Sequence, residues 1–110
     1  MVRPRPRRGE VWLIDLDPTV GSEIRKTRPC LIISPDAMNE GLRTVTIMPL
    51  TSGSHAAPFR VETTFKQRDG RLLADQLRTV DCLRLRKHLG KVSPDALRET
   101  LATLREMFAE

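Results

Sequence analysis

The feature that most limits the possible folds of this chain is a series of short apolar segments that end at proline or glycine. Residues 11–16 (VWLIDL) stop at an Asp-Pro pair, and residues 30–34 (CLIIS) have a proline on each side. Both segments are too short for a typical helix and rich in strand-forming residues, so they predict two β-strands. The polar residues 18–28 between them predict a loop.

Further short segments follow the same pattern. Residues 43–50 predict a third strand that ends at Pro49, and residues 59–64 alternate as a half-buried fourth strand does. The Asp69-Gly70 pair predicts the turn of a hairpin, and residues 72–80 continue from it. We expect one helical turn at residues 36–41 and an irregular basic segment at residues 84–88.

The C-terminal segment predicts a helix. Ser93 can cap its first turn, Pro94 suits the first helical position, and Asp95 complements the helix dipole. Its predicted apolar stripe consists of Leu97, Leu101, Leu104 and Phe108. Many short strands followed by one helix predict a mainly β fold, an SH3-like barrel with a terminal helix.

Length and charge indicate one domain with a basic tail. The chain has 110 residues, which is enough to bury a core. Four arginines lie in the tail MVRPRPRR, and removing their charges from the net +5 leaves +1. We therefore expect a disordered tail at residues 1–8, a single domain at residues 9–110, and only weak support from bulk charge for a polyanionic partner.

The sequence lacks the signals that mark several classes of protein. No apolar segment approaches the roughly 20 residues of a membrane-spanning helix, and no signal peptide is evident, so we expect a cytoplasmic protein without a membrane role. Cys30 and Cys82 are expected to be reduced packing residues. No metal-ligand spacing and no glycine-rich phosphate loop occur, so we expect neither a metal nor another cofactor.

The candidate chemical groups are cations and hydroxyls at strand ends. Pro29 biases the backbone of Arg28 toward extended conformations, and a guanidinium fixed there can bind two phosphate oxygens. Thr51 follows the third strand, and Glu23 is the nearest proton acceptor in the Arg28 loop. Each has a structural alternative: a surface ion pair between Arg28 and Glu23, and a turn role for Thr51. His55 is a further candidate acid or base, although a solvated loop histidine is the commoner case.

Longer motifs resemble a known family. The pattern GEVWLIDLDPTVGSE, the following Arg-Pro pair with its apolar strand, the Pro-Leu-Thr segment at residues 49–51 and the segment ADQLRT at residues 74–79 resemble the MazF/PemK family of toxin endoribonucleases. The likeness extends from about residue 8 to the final helix. It implies a compact SH3-like barrel, usually a homodimer, that cuts single-stranded RNA at short sequences without metal.

The resemblance also implies roles for individual residues. Arg28 and Thr51 match the catalytic core of the family, and Glu23 matches a glutamate often implicated with them. One branch uses an aspartate that matches Asp75, but its partner arginine is Leu73 here, so we favour Arg28 with Thr51. The candidate RNA contacts are Arg25, Lys26, Asp75, Gln76, Arg78 and Arg84.

The expected reaction is transesterification, in which the ribose 2′-OH attacks its own 3′-phosphodiester. The family further implies a cognate antitoxin with an acidic flexible segment. Two alternatives belong to other classes: a non-enzymatic toxin of related fold that binds a topoisomerase, and an RNA-binding barrel without activity.

Overall fold

The computed structural model describes residues 4–110, and within them the chain forms seven strands and two α-helices. In chain order these are β1 (Glu10–Asp15), β2 (Thr27–Ile32), α1 (Asp36–Gly41), β3 (Thr44–Thr51), β4 (Arg60–Phe65), β5 (Arg68–Leu73), β6 (Arg78–Asp81), β7 (Leu85–Lys91) and α2 (Pro94–Met107). Short 3-10 turns occupy Ala74–Gln76 and Cys82–Arg84. The predicted class, mainly β with a C-terminal helix, is confirmed.

The strands form one antiparallel sheet in the order β4-β5-β3-β2-β1-β7, and β6 also pairs with β3. The sheet is not closed, because β4 and β7 form its two edges and do not pair within residues 4–110. The sheet is nevertheless strongly bent: the end of β7 approaches the β4–β5 hairpin, where a Cβ on Gly90 would lie 3.4 Å from Phe65.

The positions of the prolines explain where the pairing of β2 and β3 with their neighbouring strands begins and ends. β2 starts at Thr27 rather than at residue 30, so our prediction that Pro29 precedes this strand is wrong. Pro29 pairs with β1, but it has no N–H to donate, and the ladder to β3 begins only at Cys30. Pro49 likewise lies inside β3, between the residues that pair with β6 and those that pair with β5.

The hairpin between β4 and β5 turns three residues earlier than predicted. Its two-residue loop is Lys66-Gln67, with φ of 49° and 65°, the backbone of a type I′ turn. Asp69 and Gly70 lie inside β5 instead, so the predicted Asp-Gly turn is wrong. Gly70 is needed for packing, since a Cβ there would lie 3.1 Å from the Thr51 carbonyl oxygen.

Two other predictions need correction. Residues 84–88, predicted to be irregular, belong largely to the edge strand β7, which pairs with β1. In α2 the Ser93 Oγ accepts a hydrogen bond from the Ala96 N–H at 3.1 Å, as expected of the cap. Phe108, however, lies beyond the end of α2 and is 68% exposed, so it does not belong to the apolar stripe.

The core consists of two clusters, one on each face of β2 and β3. The α2 cluster lies between the sheet and the helix and contains Val11, Leu31, Ile33, Met48, Leu50, Val61, Leu72, Ala74, Val92 and Leu104. The cysteine cluster lies on the other face and contains Ile14, Leu16, Cys30, Ile32, Val45, Ile47, Val80, Cys82 and Leu85. Both cysteines are buried in it, and no disulfide joins them, as predicted.

The N-terminal tail contacts helix α1. Arg7 forms an ion pair with Asp36 at 2.8 Å, and the Arg8 N–H donates to the same carboxylate at 2.7 Å. The predicted disorder of residues 1–8 stays a prediction, and residues 1–3 lie outside the described part. No helix within residues 4–110 has the length and apolar character needed to span a membrane.

Candidate active site

Strand register brings Arg28 and Thr51 together on one face of the sheet. Cys30 and Pro49 are the last pair of the β2–β3 ladder, and continuing its register two residues beyond that pair sets Arg28 across from Thr51. Side chains at opposite positions of antiparallel strands point to the same face. Both residues line a cleft of about 230 Å³, together with Pro29, Leu50, Ser52, Phe65, Arg68, Asp69 and Gly70.

The Arg28 guanidinium is exposed and largely available to a ligand. Its Nε donates to the Arg25 carbonyl at 3.2 Å, which orients the side chain. The Nη groups form no hydrogen bond or ion pair with any residue in the described part of the chain. They can therefore bind two oxygens of an anion such as a phosphodiester.

The Thr51 hydroxyl is oriented by the turn that follows it. Its Oγ1 accepts a hydrogen bond from the Gly53 N–H at 3.2 Å. Because the oxygen is used as an acceptor there, the hydroxyl hydrogen is available for donation to an oxygen in the cleft. Arg28 and Thr51 thus provide a fixed positive charge and a neutral donor side by side.

Glu23 lies in a neighbouring cavity rather than in the cleft. Its Oε1 accepts a hydrogen bond from the Val20 N–H at 2.7 Å. This second cavity, of about 350 Å³, is lined by Ser22, Glu23, Ile24, Pro49, Asp75, Gln76, Leu77 and Arg78. Glu23 forms no ion pair with Arg28, so the structural alternative proposed for these two residues is wrong.

Asp75 is bound on both carboxylate oxygens by Arg60. The Arg60 Nε donates to Oδ1 and the Nη2 donates to Oδ2, each at 3.0 Å. These hydrogen bonds hold the pKa of Asp75 below its ordinary value, although desolvation acts in the opposite direction. The same bonds raise the pKa of Arg60. A carboxylate with a lowered pKa is a weaker proton acceptor, which makes Asp75 a poor general base.

The remaining candidate RNA contacts mainly hold the loop between β1 and β2. Gln76 Oε1 accepts from the Ile24 N–H at 2.8 Å, and Arg78 donates to the Leu16 carbonyl at 3.3 Å. Arg84 donates to the carbonyls of Asp15 and Asp17. Arg25 and Lys26 lie in the loop itself and are exposed. Of this group, only Gln76, Arg78 and Asp75 share the cavity of Glu23.

The cleft also contains residues that the sequence did not identify. Arg68, Asp69 and Gly70 of β5 line it, and Arg71 pairs with Thr51. The sequence marked Asp69-Gly70 as a turn and not as part of a site, because these residues reach the cleft only through the pairing of β5 with β3. His55, by contrast, does not line the cleft. No group of three or more potential metal-ligating side chains occurs within residues 4–110.

An open antiparallel sheet with a C-terminal helix, and an exposed arginine that lines one cleft together with a threonine, define a small mainly β protein with a candidate anion-binding site. The family model of PemK-like, MazF-like toxins of type II toxin–antitoxin systems matches residues 7–108. The chain belongs to this family, as the resemblance predicted.

Individual relatives agree with this assignment. The chain is 38% identical over 97 residues to Endoribonuclease MazF9 of Mycobacterium tuberculosis, covering 79% of this chain and 82% of the relative. It is 39% identical over 103 residues to Endoribonuclease PemK of Escherichia coli, covering 88% and 77%. The crystal structure of MazF from Deinococcus radiodurans superposes with a TM-score of 0.83 at 28% identity, covering 94% of this chain and 96% of that one.

A further structure shows a relative with its partner. The endoribonuclease of a mycobacterial species in complex with its cognate antitoxin superposes with a TM-score of 0.77 at 26% identity, and the match covers 92% of each chain.

Proposed function

We propose that this toxin is an endoribonuclease that cuts single-stranded RNA at short sequences through attack of the ribose 2′-OH on the adjacent phosphodiester. The observation that carries the proposal is that Arg28 and Thr51 line one cleft and that the Nη groups of Arg28 have no partner among residues 4–110. The curated relatives named above are endoribonucleases. The reaction needs no metal, because the substrate itself carries the positioned nucleophile.

Each residue has a role that follows from its chemistry. Arg28 binds the non-bridging oxygens through its Nη groups, and the positive charge of its guanidinium stabilises the negative charge of the phosphorane. Thr51 donates its hydroxyl hydrogen to one of the same oxygens. Glu23 is the proposed base for the 2′-OH, reached from the adjoining cavity when the RNA spans both. As the O2′–P bond forms, the P–O5′ bond breaks and the leaving 5′ oxygen takes a proton from solvent water, which gives a 2′,3′-cyclic phosphate and a 5′-hydroxyl end.

The bound RNA extends along the loop between β1 and β2. Arg25 and Lys26 are exposed there and contact the phosphates. Among the other candidate contacts, Gln76 and Arg78 line the cavity of Glu23, where the edges of bases leaving the cleft would reach them, and Arg84 supports the loop that the RNA follows. Asp75, whose two carboxylate oxygens are bound by Arg60, is not proposed as an RNA contact. Bases are distinguished by hydrogen bonds to their edges, as in other single-stranded RNA sites.

The test is incubation of the purified protein with a long RNA in EDTA. We expect discrete fragments from RNA and none from DNA of the same sequence, because DNA lacks the 2′-OH. Arg28→Ala is expected to lower the cleavage rate by about 10²–10³-fold, as loss of a transition-state donor does. Arg98→Ala on the exposed face of α2 is the control. RNA left intact by the wild-type protein would contradict the proposal and favour the topoisomerase-binding alternative.

The partners are proposed from the family. We infer a homodimer in the cytoplasm and a cognate antitoxin whose acidic segment covers the basic loop. A relative has been solved in complex with its cognate antitoxin, which supports the second part. Light scattering checks the first, and particles of only 12.5 kDa would contradict it.

A further inference from the structure

The loop that follows Thr51 is held by two arginines on consecutive carbonyls. Arg71 Nη1 donates to the Ser54 carbonyl at 2.6 Å, and Arg60 Nη1 donates to the His55 carbonyl at 2.9 Å. Loops at a protein surface usually leave such carbonyls to water. Two guanidinium groups on adjacent peptide units instead fix the path of residues 52–59.

Each of these arginines is itself fixed by an acid. Asp75 binds Arg60 through both oxygens, and Glu62 binds Arg71 Nη2 at 3.2 Å. The Arg60 side chain is only 17% exposed and that of Arg71 only 26%. The acids therefore hold both guanidinium groups in the orientation in which they bind the loop carbonyls. Motion of the two arginine side chains gives the loop little additional freedom.

The loop bears directly on Thr51. Gly53 donates to the Thr51 hydroxyl, and the next residue, Ser54, provides the carbonyl that Arg71 binds. Arg71 also lies opposite Thr51 in the β3–β5 ladder. A shift of the Ser54 peptide would therefore move the Gly53 N–H and change the direction in which the Thr51 hydroxyl points.

The turn that contains Asp75 connects this loop to the loop that carries Glu23 and Arg25. Asp75 and Gln76 share the 3-10 turn Ala74–Gln76. Asp75 holds Arg60 on one side, while Gln76 accepts the Ile24 N–H on the other. One short turn thus contacts the loop between β1 and β2 directly and the 52–59 loop through Arg60.

We propose that Arg60 and Asp75, together with Arg71, are positioning residues that hold the 52–59 loop and so keep the Thr51 hydroxyl beside Arg28. The proposal rests on the proposed function. It gives Asp75 a role different from the general base and from the RNA contact considered from the sequence.

The expected effect is on rate rather than on RNA binding. A displacement of about 1 Å in a positioning group typically costs on the order of 10² in rate. We therefore expect Asp75→Asn and Arg60→Met to lower the single-turnover cleavage rate by about 10–100-fold. The dissociation constant of a 2′-deoxy substrate analogue is expected to stay close to that of the wild-type protein, since no contact with RNA is lost.

The experiment measures three quantities for each variant: the single-turnover rate, the dissociation constant and the pH profile of the rate. The matched controls are Asp95→Asn and Arg98→Met, which break an exposed ion pair of the same residue types in α2. Arg60→Lys keeps a charge near Asp75 but loses the bidentate geometry, so we expect it to restore only part of the rate.

Three outcomes would overturn the proposal. Weaker analogue binding with an unchanged rate would make Asp75 an RNA contact. Loss of the acidic limb of the pH profile in Asp75→Asn alone, with near-normal activity in Arg60→Met, would make it the base. An unchanged rate in both variants would leave the pair without a positioning role.

Hydrogen exchange separates this proposal from the proposed function. We expect faster amide exchange across residues 52–59 and at Ile24 in Asp75→Asn than in Asp95→Asn, while the exchange of the β2–β3 ladder is unchanged. This readout needs no nuclease activity. Unaltered exchange in the loop would overturn the positioning role even if the protein cleaves RNA, and a protein without nuclease activity would still show the loop effect.

Discussion

Several polar residues of this toxin have structural roles that their residue type alone does not indicate. Arg78, Arg84 and Gln76 are the kinds of residues that contact RNA, yet each one holds a backbone group of the loop between β1 and β2. Their partners lie more than 50 residues away in the chain. Only the folded loop creates these acceptors and donors, so no spacing pattern in the sequence could indicate them.

The Cys30 thiol gives a prediction at this scale. Burial raises the pKa of Cys30 to about 12, although the charge of Arg78 acts in the opposite direction. At pH 8 the thiolate fraction is then on the order of 10³ times smaller than that of an ordinary thiol with a pKa near 8.5. We expect iodoacetamide to label Cys30 slowly in the native protein and rapidly in urea, as measured by peptide mass spectrometry.

The same pKa shift links stability to pH. An unfolded chain loses the Cys30 proton near pH 8.5, whereas the folded chain keeps it, so the free energy of unfolding falls as pH rises above that value. Cys30→Ala is expected to remove this part of the pH dependence. For the labelling prediction, equal rates of iodoacetamide labelling of Cys30 in the native and the urea-treated protein would contradict burial of the thiol.

At the scale of elements, the apolar strands and the capped helix could be predicted from the sequence, because their burial leaves a periodic pattern. β7 could not be, since it is an edge strand whose residues Arg86, Lys87 and His88 are all exposed. Charged residues are usual on such edges and discourage pairing with other chains. The Asp69-Gly70 pair gave a wrong turn prediction for a different reason. Its glycine is needed for the close contact between β5 and β3.

The hairpin of β4 and β5 gives a prediction at this scale. Its turn residues Lys66 and Gln67 both adopt positive φ, which is unfavourable for residues other than glycine and asparagine. We expect Gln67→Gly to raise the free energy of unfolding by about 0.5–1 kcal/mol, because relief of the left-handed backbone exceeds the added freedom of the unfolded chain. Urea denaturation measures this value.

A glycine placed at a strand position is the control for that substitution. Thr64→Gly in β4 is expected to lower the free energy of unfolding, since the backbone there is extended and gains nothing from glycine. A fall in stability for both variants would show that the turn does not strain Gln67.

At the scale of the whole molecule, the active-site pair depends on sheet order and register. The motifs in the sequence marked Arg28 and Thr51, but they lie 23 positions apart and meet only because β2 and β3 are neighbours. Arg68, Asp69 and Gly70 reach the cleft because β5 pairs with β3, and that pairing has no local signal in the sequence. Non-local pairing therefore sets the limit of what could be predicted about the site.

Non-local pairing also predicts that the two core clusters unfold together. Neighbouring residues of β2 enter different clusters: Leu31 packs under α2 and Ile32 packs in the cysteine cluster, against which the single tryptophan, Trp12, lies. Leu104→Ala in α2 is expected to lower the free energy of unfolding by about 2–4 kcal/mol. Because the clusters share β2 and β3, Trp12 fluorescence and circular dichroism should move to the same lower midpoint, whereas the exposed Leu42→Ala should change neither. A dichroism transition that shifts alone would mean that α2 separates from a sheet that remains folded.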